Sequence, residues 1–508
     1  RPAARRQAMK ERHIMRERIK VHPAEEVVEY LFKSRSLGFL QRDFRLLMWI
    51  NHVHTLMLMD RGIIAQEAGR SLLGALAELE RQGIEESSLD PNLEDLYLNF
   101  EHSLIQKVGV DVGGRIHTGR SRNDIYATIA RIAVREALLT LSEDQFELRE
   151  ALLRLAEDHV DTVAPGYTHL QPAQPTTFGH YLVSVSMALE RDGERLLEVY
   201  PRLNLSPLGA CAFAGTGFAI DRHLTARLLG FDGIVQSTLD AVASRDYVSE
   251  LLAAIAVMGV TLSRLAQDLY LWCSDEWATV EVGDDVASTS SIMPQKKNPI
   301  ILEHIKAKAG HLMGALVSSL AVQKNVNFMH CRDLSTEAVA PLWDALGQGE
   351  AVLKLARRTV LGLKVNKELL LERAAQDFCT ATELADFLVR EKGMPFRLAH
   401  GIVGNLVTQV LEKGLAWNSV DSGMIDTVAQ GITGGPLNLT GDQIRHAIDP
   451  LLNIQGKGAA GSPSQAETRS LISRAREGLE HQRNRVRGWQ THQDQTRQLL
   501  ERELARFA

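Results

Sequence analysis

VSELLAAIAVMGVTLSRLAQDLYL, residues 248–271, is the stretch that decides the fold. It contains no proline and supplies roughly six turns of helix. Leu251, Leu252, Ile255, Val257, Met258, Val260, Leu262 and Leu265 place apolar groups nearly all round it. Such a helix is buried on most faces, in the core of a large bundle or at a subunit interface. Working outward, residues 127–160 keep Ile129, Ile132, Ala133, Leu138, Leu139 and Leu141 at three- and four-residue spacing, the pattern of an amphipathic helix. Long helices are predicted in the same way over 176–200, 237–275, 301–324 and 337–360. No alternating strand run of useful length and no internal repeat is found. The expectation is an all-α chain with a central bundle of long helices.

The texture changes near residue 375, where shorter helices are predicted over 382–391, 397–413 and after Thr440, with a loop at 456–463. Three parts are expected: 1–124, 125–374 with the long helices, and a small C-terminal part, 375–508. The last stretch, 464–508, is charged and rich in Gln and Arg, and reads as a solvated helical tail.

Composition narrows the function. A net charge of −6 lacks the basic excess of a nucleic-acid binder. Cys211, Cys273, Cys331 and Cys379 are widely spaced and form no CxxC pair, so neither a zinc site nor a disulfide framework is indicated. A reducing compartment, and hence a cytoplasmic location, is expected. No apolar run is expected to reach transmembrane length. The chain opens on Arg1 rather than Met, and its Arg-rich start lacks the apolar stretch of a signal peptide.

The unusual chemistry lies in three polar connections. The first, His117-Thr-Gly-Arg-Ser-Arg-Asn-Asp124, has two arginines suited to gripping carboxylates; Asp124 is a candidate partner for one of them. The second, Gly166-Tyr-Thr-His-Leu-Gln-Pro-Ala-Gln-Pro175, sets Thr168 beside His169, a side chain able to move protons near neutral pH. The third, Ser290-Ser-Ile-Met-Pro-Gln-Lys-Lys-Asn-Pro299, offers Lys296 and Asn298 to a carboxylate. Asn298 reads as the N-cap of the next helix with Pro299 at its first position.

Together these loops resemble the aspartase/fumarase superfamily. The third is similar to its Gly-Ser-Ser-x-Met-Pro-x-Lys-x-Asn-Pro signature, with Thr289 in place of the glycine. TGRSRND and GYTHLQPAQP are similar to the argininosuccinate lyase family. Further matches are Glu94-Asp95, Ser206-Pro-Leu-Gly-Ala210 with Ala214-Gly-Thr216, and Ala381-Thr-Glu-Leu-Ala-Asp386. The resemblance spans roughly residues 40–465.

The resemblance implies a three-domain homotetramer whose active sites each draw one loop from three subunits, with no metal or organic cofactor. The reaction it implies is a reversible elimination of fumarate from a succinyl-amine, through a doubly charged aci-carboxylate. By the same carry-over Ser290 is the general base. His169 is the proton donor or its organiser, and Glu303 orients it. Lys296 and Asn298 bind the carboxylate that accumulates charge, beside Ser291. Ser121, Asn123 and Thr168 hold the succinyl part, and Arg122 contacts a substrate carboxylate. Family members reused as structural lens proteins offer a non-catalytic alternative, which the retained Ser290, His169 and Lys296 disfavour.

Departures cluster where the amine half is expected. The family's N-terminal Trp-Gly-Gly-Arg-Phe is absent, and its Ser-x-Ala-His appears as Asn51-His-Val-His54. Tyr97, Ile125 and Ile300 replace a histidine, a glutamine and an aspartate. A run beginning Tyr-Asn-Arg-Asp becomes His330-Cys-Arg-Asp333, and its later lysine is lost at Ala338. Tyr97, Ile125, Ile300 and His330 are therefore expected at the substrate's amine end. The two isoleucines and the lost lysine argue for a leaving amine less polar than arginine or differently shaped. The alternative is a specialised lyase of the superfamily acting on another amine, nitro or ammonia leaving group of a succinate.

Overall fold

The computed structural model describes residues 21–32 and 36–507; the Arg-rich start lies outside them. Helices α1 (Leu37–Asp60), α2 (Gln66–Gln82) and α3 (Leu96–Val108) lead into the first loop. Their apolar faces, with Leu47, Ile50, Leu72, Leu76 and Leu104, close on Ile125, Ile129 and Ile132 of the next helix. This core holds residues on both sides of position 124.

The bundle consists of α4 (Arg122–Asp158), α5 (Phe178–Leu203), α6 (Asp246–Trp272), α7 (Ile300–Gln323) and α8 (Ala340–Leu361). Between α4 and α5 stands an antiparallel hairpin, β1 (Val163–Thr168) and β2 (Gln171–Thr177). Between α6 and α7 lies a smaller one, β3 (Ser288–Thr289) and β4 (Lys297–Asn298). Leu138, Phe146, Leu152, Leu182, Leu196, Leu252, Ile255, Met258, Leu312 and Val352 form one continuous core. The fold is all-α apart from such short strand pairs.

Several expectations need correction. The helix predicted over 237–275 is two: a short helix, Thr238–Ala243, ends at Ser244, whose backbone is extended, and α6 begins at Asp246. Helix α6 is long and apolar enough to cross a membrane by length and mean hydropathy (1.6 over its best window), contrary to the reading that no run is. It is nonetheless the central helix of the bundle, packed on α5, α7 and α8. Asn298 does not cap α7. It pairs with Ser288 in the hairpin, Pro299 takes the cap position, and no side chain caps the helix.

Helix α6 is not buried all round. Val257 and Val260 are exposed, and Met313, Val317 and Leu320 of α7 join them in an apolar stripe, with Val317 66% exposed. At 37 residues, α4 spans about 55 Å. The first loop sits at its N-terminus and the β1–β2 hairpin follows its C-terminus. Helix α6 runs alongside in the same direction as α4: the Arg131 guanidinium (α4) lies 4.5 Å from the Tyr247 ring at its start, and Trp272 at its end lies 4.8 Å from Tyr181, just past the hairpin. The second and third loops therefore lie toward one end of the bundle, the first at the other.

Helices α9 (Ala381–Lys392), α10 (Phe396–Glu412), α11 (Ser422–Thr433) and α12 (Gly441–Ile448) enclose a separate core of Leu384, Leu388, Ile402, Leu406, Trp417, Ile425 and Ile444. The tail is not a solvated appendage. Helix α13 (Gln465–Ala505) returns to the bundle and lies along α4 and α5, burying Leu471, Ile472, Ala475, Leu479 and Val486. Its apolar positions are spaced among so many Gln and Arg residues that composition hides them. The polar groups are partnered too. Buried Arg149 pairs with Glu190 (3.1 Å) and donates to Gln482, and Trp489 stacks on Tyr200 at 3.9 Å.

Candidate active site

Each of the three loops is shaped by its own sequence. Ser121 accepts from the Asn123 N–H to start α4, and its own N–H donates to Asp124 Oδ1 at 2.9 Å. That reciprocal capping is legible as Ser-x-x-Asp. Asp124 does not pair with an arginine as expected. Fully buried, its Oδ2 accepts the N–H groups of Gly209 (2.9 Å) and Cys211 (2.8 Å), knitting the loop to the 206–216 segment. Burial raises its pKa to about 6 against those hydrogen bonds. Asn123 donates to the Ala212 carbonyl, and Arg122 is held by Glu94 (3.1 Å) and Asp95 (2.9 Å). The Arg122 charge expected to meet a substrate carboxylate is thus shared with two of the chain's own.

Beneath this loop several of the residues noted in the sequence meet in one buried polar cluster. Arg120 donates to Asn51, while its Nε and one terminal nitrogen have no partner. His54 meets the Thr118 carbonyl at 2.9 Å. Tyr97 is fully buried, with its hydroxyl 2.6 Å from His117 Nδ1. Burial, with Arg120 beside it, holds His54 well below the usual imidazole range and brings His117 to about 4. Tyr97 and Ile125, expected at the substrate's amine end, are both fully buried: one belongs to this cluster, the other to the apolar core. The Asn51-x-x-His54 spacing, one helical turn, is the signal that links the cluster to α1.

In the second loop His169 and Leu170 form the two-residue turn of the hairpin, both with positive φ (56° and 59°). That turn geometry favours Asn-Gly, so two ordinary residues there store strain of order 1–3 kcal/mol each. The result is an exposed Thr168-His169 tip. Gly166 makes it possible, since a Cβ there would lie 2.6 Å from the Gln174 carbonyl.

In the third loop the Ser290 hydroxyl accepts N–H groups from Met293 (3.0 Å) and Ile292 (3.3 Å). Two amides aimed at one oxygen favour its deprotonated form. Lys297 is anchored to Glu281 and Asp284, whereas the exposed Lys296 side chain has no polar partner among the described residues. Ser291 is exposed and Asn298 half-buried. Thr289, the departure from the signature's glycine, occupies a strand position opposite Lys297, where a β-branched residue fits. Ile300 opens α7, half-buried. Glu303, one turn on, accepts from Tyr270 at 3.1 Å rather than from His169. Half-buried His330 lies at the opposite end, beside Arg245, and its Nδ1 has no partner. Arg245 itself, buried at the break before α6, is a site candidate that the sequence reading did not single out.

No hydrogen bond or ion pair among the described residues joins the three loops to one another, and α4 alone separates the first from the second. Among those residues no group of His, Cys, Asp and Glu could hold a metal. A long-helix bundle with these loops at its ends defines a lyase. Residues 38–314 match the Lyase family profile and residues 378–454 the argininosuccinate lyase C-terminal profile. The chain is 42% identical to argininosuccinate lyase 1 of Shouchella clausii, covering 92% of this chain and 94% of that protein. It is 39% identical to argininosuccinate lyase of Methanothermobacter thermautotrophicus, with coverage of 89% and 96%. Among solved structures it is similar to EDDS lyase in complex with formate, at 34% identity and a TM-score of 0.86 over 96% of both chains. The chain belongs to the argininosuccinate lyase family of the aspartase/fumarase superfamily. It is a carbon–nitrogen lyase, and its reaction eliminates fumarate.

Proposed function

We propose that this enzyme splits an argininosuccinate-like N-(1,2-dicarboxyethyl) amine reversibly into fumarate and the amine, with Ser290 as general base. The observation that carries the reading is the pair of N–H groups on the Ser290 oxygen, with unpaired Lys296 on the same seven-residue tip. A serine is a poor base in water; backbone donors and a nearby cation lower the cost of its alkoxide. Ser290 takes the proton from the carbon beside a carboxylate. Lys296, Asn298, Ser291 and the uncapped N-terminus of α7 receive the charge that builds on that carboxylate. Ser121, Asn123 and Thr168 hold the succinyl part, and His169, with Glu303, delivers a proton to the departing nitrogen.

These groups meet only if several subunits share a site, so the working unit is a homotetramer. The apolar stripe of Val257, Val260, Met313, Val317 and Leu320 supports that assembly. Arginine is the first candidate amine: Ile125 faces the core, which removes one of the two isoleucines that argued against it. A different amine is favoured by Ile300 beside the loop and by Ala338 in place of a lysine. The test follows fumarate by ultraviolet absorbance, with argininosuccinate as substrate, and runs the reverse reaction with fumarate and a panel of amines, read by mass. Turnover of argininosuccinate within the usual enzyme range fixes arginine; turnover of another adduct alone replaces it.

A further inference from the structure

Behind the His169 hairpin is a cavity of about 320 Å³, bounded by the hairpin on one side and the end of α6 on the other. Its walls are aromatic. Tyr167 and Trp277 lie 4.8 Å apart, Tyr181 and Trp272 also 4.8 Å, and Phe178 packs against both Tyr181 and Trp272 at 6.1 Å. One carboxylate enters this apolar surround: Asp268, on α6, accepts the Tyr181 hydroxyl at 2.8 Å through Oδ2. Among the described residues no ion pair neutralises it: Arg264, a helical turn earlier, is exposed and not bonded to it, although its charge is felt at the Tyr181 hydroxyl, and Arg373 interacts with the Tyr167 hydroxyl in the cavity wall.

We propose that this cavity binds an organic monovalent cation of the guanidinium or alkylammonium class, and that its occupancy sets the position of the His169 turn. Ring faces attract a cation through their quadrupoles, by an amount that grows when water is excluded. An unpaired carboxylate supplies the complementary charge and a hydrogen-bond acceptor. The volume suits a small ligand. A neutral ligand would satisfy the rings and leave Asp268 unanswered; an anion would meet repulsion. The coupling is geometric. Gly166, Tyr167, His169 and Leu170 all line the cavity, so a molecule filling it props the strained turn from behind. The amine product and other metabolites bearing the same cationic group share this chemistry.

The experiment titrates the intact enzyme with butylguanidinium chloride and, separately, with butylurea, its neutral counterpart in shape. Trp272 and Trp277 line the cavity and report occupancy by fluorescence. Saturable quenching by butylguanidinium, with at least tenfold weaker binding of butylurea, is expected. The same titration with saturating fumarate present is expected to give an unchanged midpoint, together with a shift in kcat. Asp268→Asn keeps a partner for Tyr181 and removes the charge, and is expected to weaken butylguanidinium binding at least tenfold. Equal binding of the two probes overturns the proposal, and needs no variant. Competition with fumarate assigns the cavity to the reaction site instead. Unchanged binding in a folded Asp268→Asn protein removes the carboxylate from the role.

Discussion

The amide nitrogen of Met293 lies 3.0 Å from the Ser290 hydroxyl oxygen, and that of Ile292 lies 3.3 Å away. Two such donors favour negative charge on that oxygen, as the proposed role of Ser290 as base requires. Ser290→Ala is expected to lower kcat by about 10²–10⁴-fold, the usual contribution of a positioned base. Its melting temperature is expected to stay close to that of the parent, because the side chain is only half-buried. A variant retaining a large fraction of parental fumarate release would remove Ser290 from the role.

Gly166→Ala probes the hairpin rather than the chemistry. The new methyl group would meet the Gln174 carbonyl at 2.6 Å, so the two strands must part. The His169 tip then moves, and kcat is expected to fall on the order of a hundredfold for a displacement of about 1 Å. An unaltered kcat with an intact fold would show that the tip position is not critical.

Val317→Glu addresses assembly. If the stripe on α6 and α7 is a subunit interface as proposed, the carboxylate is buried there without a partner, at a cost of several kcal/mol. Light scattering is expected to show species smaller than a tetramer, and activity is expected to fall with them. A fully active tetramer would place the interface elsewhere.

Arg149 and Glu190 separate charge from packing under α13. Glu190→Ala leaves a buried guanidinium with only amide and carbonyl partners and is expected to cost about 3 kcal/mol. Arg149→Met removes that charge and keeps most of the volume, and is expected to cost less. Chemical denaturation of both variants gives the order; the reverse order would contradict a buried, charged Arg149.

Acid stability follows from the cluster beneath the first loop. His54 and His117 are bases whose folded pKa values lie below the ordinary 6.5, lowered first by burial and then by neighbouring arginines. The unfolded chain therefore binds more protons, and stability falls as pH drops from about 6.5 through about 4. Asp124, raised from 3.8 to about 6, works the other way over that interval and offsets part of the loss. Denaturant midpoints of His54→Gln are expected to depend less steeply on pH than those of the parent. Identical slopes would place the acid sensitivity in other groups.

Much of this was legible in residue order. The spacing of apolar positions in 127–160 and 248–271 foretold the bundle, because helix faces repeat in sequence. The loops stood out because Gly, Ser, His and paired arginines are rare together between such helices. What escaped was set by distance in space. Nothing local links Asp124 to the amides of Gly209 and Cys211, or Arg149 to Gln482 more than three hundred residues on. The burial of Ile125 is hidden for a related reason. A substitution at a motif's edge looks like a change in specificity until the helix phase turns it toward the core.

Helix α4 holds the two ends of its own chemistry about 55 Å apart. In the proposed shared site, a defect in the first loop and a defect in the second of one chain fall in different catalytic centres. If subunits share each centre as proposed, and two inactive chains, one altered at Ser121 and the other at His169, are produced together, mixed assemblies are expected to contain some centres built wholly from sound parts. Activity then returns to a pair of proteins that each lack it alone, so the unit of inheritance and the unit of catalysis are not the same object.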